Sequence, residues 1–318
     1  SFGLVDDSWA VYDDTDYSPK EKSDVYNFNN SLYEVNKTVY YPYLDLSSLS
    51  PNNSSDQQLR ENYLNNLKSL IMNYGGAYLG TGDPIGYCSV LINGKRFIYD
   101  DGDCASAGHA MQVIGWDDNI SYSLCTGTVN QSGYYHINKN TSSCSGKVVT
   151  GKGAWILKNS WGSDYQYVYV AYDSKYLDFN LITELGHKDW DNYYSLNTNI
   201  YRFNYRTTTK SYERTSKDSE KLVKIKFGAG TQDEKYNVYV ATDSKKNYIL
   251  YKTITVDFPG LYTVDLSNED INLNDTYFYV KVTSENGYVS SDISAYTDNV
   301  EKNYQLTAED AVYENSLT

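Results

Sequence analysis

A chain of 318 residues is long enough for two domains, and its 40% hydrophobic content supplies real cores, which excludes a wholly disordered protein. With 41 acidic residues against 27 basic ones the formal net charge is -14. That balance excludes nucleic acid and anionic membrane as partners, because phosphates are held by clustered Lys and Arg.

Tyrosine is over-used, at 36 residues against 8 Phe and 2 Met, a composition that suits twisted sheets and half-wet surfaces. No apolar run has the length of a membrane-spanning helix. The chain opens at Ser1 without Met or an apolar leader, and reads as a mature or cut piece of a longer precursor. Residues 1–50 are polar, aromatic and poor in periodicity, with a short extended segment at Tyr40–Leu46 broken by Pro42. The clearest helix is 55–74. Ser55 and Gln58 form a capping-box pattern, and Leu59, Tyr63, Leu67, Leu70 and Tyr74 recur every three or four residues until Gly75-Gly76 ends the helix.

Segments 77–80 and 87–99 read as strands with glycine turns, and Ala110–Trp116 and Ala154–Lys158 as buried strands. Between the last two, residues 117–152 are rich in Gly, Ser, Thr and Asn and read as a surface excursion, with His136 as a loop residue. Asp100-Asp101-Gly102-Asp103 lacks a complete calcium-ligand pattern and reads as a solvated loop. The four cysteines, Cys88, Cys104, Cys125 and Cys144, permit three pairings. Nearest-neighbour pairing closes the shortest loops and is preferred; four reduced thiols in a cytosolic protein is the alternative. Disulfides imply a secreted or cell-surface protein. With three histidines and no Cys-x-x-Cys, no metal is expected, and no cofactor either.

From about residue 198 strand-like segments recur between turn signals, at 222–228, 236–241, 248–256, 261–266 and 277–283. Val223, Ile225 and Phe227 share one face with Lys224 and Lys226 opposite, and Phe278, Val280 and Val282 oppose Tyr277, Tyr279 and Lys281. This alternation predicts an antiparallel sandwich with one wet face. A short helix is predicted at 307–315.

Two segments carry chemistry. One runs from Gly108-His109-Ala110 to Trp116, the other is Lys158-Asn159-Ser160-Trp161-Gly162. Each places a polar side chain at the end of an apolar strand, where it is held rigidly beside a cleft. An Asn carbonyl that accepts from one imidazole nitrogen fixes the tautomer and turns the other nitrogen towards a nucleophile.

The pair resembles the His and Asn signatures of papain-like cysteine proteases, and Gly115-Trp116-Asp117-Asp118 is similar to the bacterial branch of that family. The resemblance covers residues 1–197 and only the second half of the protease fold. It implies that His109 is the general base and imidazolium partner of a thiolate, that Asn159 orients it, that Trp161 shields their bond, and that Gly108 borders the main specificity pocket. The family's nucleophile segment lies about 130–150 residues before the His, and no cysteine here has those surroundings. The implied nucleophile therefore comes from an upstream, Cys-bearing fragment of the same precursor. Residues 198–318 resemble, more faintly, the lectin-like sandwich that follows the protease domain in some bacterial surface enzymes.

The expected fold class is α+β, half of a papain-like fold followed by an all-β sandwich, with the boundary at 197/198. The expected function is the C-terminal chain of a secreted or surface cysteine endopeptidase acting on protein or peptide, with a cell-surface glycan as a further partner. The alternatives are an inactive protease-like scaffold serving adhesion, separable by whether the nucleophile position holds Cys, and a transferase or amidase with the same chemistry.

Overall fold

A computed structural model describes residues 33–81, 88–102, 109–129, 135–160, 166–194, 203–214 and 219–300. The predicted helix at 307–315 lies outside them. The described chain is predominantly β, with one long helix. It divides into two compact units, 37–185 and a second made of 1–36 with 186–318.

The first unit contains most of β1 (Tyr33–Tyr41), helix α1 (Ser54–Tyr74), and β2 (Ala77–Thr81), β3 (Ser89–Ile92), β4 (Lys95–Ile98), β5 (His109–Val129), β6 (Tyr135–Asn138), β7 (Lys147–Lys158), β8 (Tyr167–Ala171) and β9 (Asp178–His187). The N-cap of α1 is Asn53, whose carbonyl accepts from the Ser55 and Asp56 backbone N–H groups at 2.9 and 3.3 Å. This replaces the Ser55/Gln58 capping box, since Asn satisfies the first-turn donors equally well. The buried face is Leu64, Leu67 and Ile71, while Leu59 and Tyr74 are exposed, so the core-facing stripe is rotated from the predicted one. Gly75 ends the helix at φ 80°, a left-handed conformation that costs glycine nothing, and its N–H returns to the Ile71 carbonyl. Asn93 and Gly94, both with positive φ, make the two-residue turn that pairs Ile92 with Lys95.

The strands of this unit run in the order β9-β2-β5-β7-β8-β4-β3, with β6 on β5. Every pair with a defined register is antiparallel except β4 with β8. Residues 117–152 are not a loop excursion. β5 and β7 continue as one ribbon out to Thr126 opposite Lys147, and Ile120, Tyr122 and Leu124 turn inwards onto Phe97 and Ala154. Cys125 and Cys144 are disulfide-bonded near the ribbon's end. His136 belongs to β6 rather than to a loop. Asp100 is buried rather than solvated, and its carboxylate accepts from the Gly102 N–H at 2.7 Å.

The second unit contains β10 (Asn192–Tyr194), β11 (Phe203–Tyr205), β12 (Thr207–Glu213), β13 (Glu220–Ala229), β14 (Glu234–Ala241), β15 (Ile249–Val256), β16 (Gly260–Asp265), β17 (Ile271–Leu273), β18 (Tyr277–Thr283) and β19 (Val289–Asn299). One layer orders β10-β19-β13-β16, with β11 on β19 and β17 on β13; the other is β12-β18-β14-β15. Ile225, Phe227, Tyr236, Val238, Phe278, Val280, Val282 and Ile293 fill the space between them. Residues 186–194 go with this unit because Trp190 rests against Tyr296, ring centroids 5.2 Å apart, and Asn192–Tyr194 pairs with β19.

The wet face predicted for 222–228 does not exist. Opposite β19 the register shifts between Leu222 and Lys224, a bulge that sends Val223 to the far side, against Trp190 and Tyr296. Lys224 and Lys226 are buried on that side as well. β18 keeps its predicted alternation, with Phe278, Val280 and Val282 inward.

Candidate active site

His109 opens β5 opposite Thr81 of β2, and Asn159 follows the last residue of β7. The pairing of Val113 with Leu157 and Gln112 with Lys158 draws these strand ends together. His109 Nε2 lies 2.9 Å from Asn159 Oδ1. An amide oxygen only accepts, so Nε2 carries the proton, and Nδ1 is the nitrogen left for proton exchange.

Asn159 is held from both sides. Its backbone N–H donates to the Gln166 carbonyl at 2.8 Å, and its Oδ1 also accepts from the Ser160 N–H at 2.8 Å. At 6% exposure the amide is shielded from water, which strengthens its bond to the ring. Its Nδ2 has no partner among the described residues. His109 is half-buried, accessible to a second reactant.

The strands behind the pair are rigid. Trp155 of β7 is buried against Tyr172 and Phe179, at centroid distances of 4.8 and 5.3 Å. Asp118, last of the Gly-Trp-Asp-Asp run, accepts from Lys68 of α1 at 2.6 Å and from the Tyr172 hydroxyl at 2.8 Å. That run thus ties helix to sheet behind the site and takes no part in its chemistry.

A cavity of about 570 Å³ extends from Asn159 across the sheet. Tyr78, Gln112, Lys158 and Asn180 line it, and the strand registers set them in one row across β9-β2-β5-β7. Sequence reasoning missed this row because such neighbours are defined only by register. Gly108, Trp161 and Cys104 lie outside the described residues. Cys88 is disulfide-bonded, as are Cys125 and Cys144. Among the described residues no group of His, Cys, Asp and Glu could hold a metal ion, and no helix is long and apolar enough to cross a membrane.

No family model matches the chain, and no curated protein matches it by sequence. Two solved structures are similar to it. The clostridial cysteine protease Cwp84 after propeptide cleavage is 17% identical with a TM-score of 0.60, covering 95% of this chain and 68% of that one. The cysteine protease and lectin-like domains of Cwp84, a surface layer associated protein of Clostridium difficile, are 16% identical with a TM-score of 0.59, covering 93% and 70%. At these identities the likeness is one of fold: the chain is similar in architecture to a cysteine protease domain joined to a lectin-like domain.

Proposed function

We propose that this chain supplies the base half of a cysteine peptidase site. The observation that carries the reading is the 2.9 Å bond from His109 Nε2 to the buried amide oxygen of Asn159. In the proposed reaction a thiolate, carried by an upstream or partner segment of the same precursor, attacks a peptide carbonyl carbon. The His109 imidazolium donates its Nδ1 proton to the leaving amine as the C–N bond breaks, leaving a thioester. Water then attacks the thioester, with Nδ1 taking its proton, and the acid departs as the thiol is restored. Asn159 stabilises the imidazolium and fixes the ring. The disulfides and the likeness to a surface layer associated protein support a secreted or surface location.

The test is peptide turnover by the native protein, purified together with its thiol-bearing segment. His109→Ala is expected to abolish turnover with an unchanged melting temperature; retained turnover refutes the assignment. A second reading, an inactive scaffold, is favoured by one observation: every described cysteine is disulfide-bonded. Labelling of the native protein by an epoxide thiol trap excludes it.

A further inference from the structure

The outer face of the four-stranded layer β12-β18-β14-β15 differs from the rest of this acidic chain. Strand register sets its residues in rows. Thr209, Lys281 and Tyr239 lie side by side across β12, β18 and β14, and Ser211, Tyr279 and Ala241 form the next row. Lys281 Nζ lies 4.5 Å from the centroid of Tyr239 and 4.3 Å from that of Tyr248, so the ammonium is clamped between two rings. Lys246, in the turn between β14 and β15, lies 4.8 Å from the centroid of Tyr279.

Cation–π contacts position an ammonium without using up its three N–H donors, and a clamped lysine loses little further freedom when it binds. Neither lysine forms an ion pair among the described residues, although the chain carries 41 acidic residues. Two pre-positioned cations without a carboxylate partner are complementary to an anion. They stand on strand rows two residues apart, about 7 Å along the strand direction. The surrounding side chains are short hydroxyls and amides: Thr253 donates to the Asn237 amide oxygen at 2.7 Å. An acidic protein partner would bring apolar anchors that need pockets, which a flat sheet face does not provide. An extended polyhydroxylated chain needs only donors, acceptors and charge along its length.

We propose that this face binds an anionic polysaccharide, with Lys281 and Lys246 holding its acidic groups and Tyr239, Tyr248 and Tyr279 holding the lysines. The site is separate from the His109–Asn159 pair and does not depend on its reading. The test is affinity electrophoresis of the whole protein through gels containing polygalacturonate, dextran or poly-glutamate, at 50 and 500 mM salt. Expected results are retardation by polygalacturonate alone, at least tenfold weaker at high salt, and at least tenfold weaker again in the K246Q/K281Q variant with an unchanged melting temperature. Four outcomes overturn the proposal: no retardation by polygalacturonate, equal retardation by dextran, stronger retardation by poly-glutamate, or an unchanged affinity in the variant. Both substitutions are at surface lysines, and the salt dependence of the unaltered protein stands as an independent measure.

Discussion

Lys226 is the sharpest place to test the packing of the second unit. Its side chain is 0% exposed, and its Nζ has no hydrogen-bond partner among the described residues. The nearest compensation is the face of Tyr296, whose centroid is 5.2 Å away. Glu34, one strand over, is already engaged by Lys224 Nζ at 2.7 Å and by the Trp190 indole N–H at 3.0 Å. Burial therefore lowers the Lys226 pKa from 10.5 to about 8, with Glu34 opposing the shift and Lys224 adding to it. Below pH 8 the folded and the unfolded chain both hold the proton, and the full cost of the buried charge is present. Between pH 8 and 10.5 the unfolded chain holds more protons, so stability rises with pH. From the two pKa values the cost is about 3 kcal/mol at pH 7 and about 1.4 kcal/mol at pH 9.5. Methionine is close in length and carries no charge. Lys226→Met is therefore expected to stabilise the second unit by roughly 2–3 kcal/mol at pH 7, with that gain shrinking by more than half at pH 9.5. Urea unfolding at the two pH values measures both. A loss of stability in the variant, or a difference that does not change with pH, refutes the reasoning.

Two further changes test the other buried contacts. Glu220 is 0% exposed, and its carboxylate accepts from the Tyr194 hydroxyl at 2.8 Å and from Thr297 Oγ1 at 2.6 Å, with Arg214 at 3.8 Å. Tyr194→Phe keeps the ring but removes a donor to a buried charge, and is expected to cost about 2–3 kcal/mol in chemical unfolding; the same change at exposed Tyr176 should cost almost nothing. The Cys125–Cys144 bond closes a sequence separation of 19, for which chain entropy predicts about 3 kcal/mol of stabilisation. The Cys125→Ser/Cys144→Ser pair is expected to lower the melting temperature of the first unit, and hydrogen exchange should show the outer part of the β5–β7 ribbon opening first.

Local signals in the sequence gave elements, and long-range packing decided which of their faces are buried. Gly75 and the Asn93-Gly94 pair mark their stops because a positive φ is a property of single residues. The His109 and Asn159 motifs were legible for a similar reason: each sits at the end of a short apolar run. The ribbon at 117–129 was not. Its inward residues Ile120, Tyr122 and Leu124 do alternate with Asn119, Ser121 and Ser123, but the Gly- and Ser-rich composition around them resembles loop. The wet face assigned to Lys224 and Lys226 failed for the opposite reason. Alternation distinguishes one side of a strand from the other, yet cannot say that Trp190, Tyr296 and Glu34 cover the polar side. The Val223 bulge is equally silent, since nothing in the residue itself marks an extra place in the register.

The surplus of tyrosine now has a structural reason that composition alone left general. Tyr122 donates to Asp173 at 2.8 Å, Tyr172 to Asp118 at 2.8 Å and Tyr194 to Glu220 at 2.8 Å. Each ring packs as a phenylalanine would, while each hydroxyl pairs with an acid that the low cation count could not otherwise satisfy. Burial next to a carboxylate raises the pKa of Tyr122 and Tyr172 well above the usual phenol range, so both remain donors throughout the pH range in which the fold is used. A protein with 41 acids and 27 bases needs neutral donors for its buried carboxylates. Tyrosine is the one residue that supplies such a donor and a large apolar surface together. On the outer face of β12-β18-β14-β15 the same residue does a different task, presenting ring faces to two lysines, which is why the aromatic surplus and the two unpaired lysines coincide there.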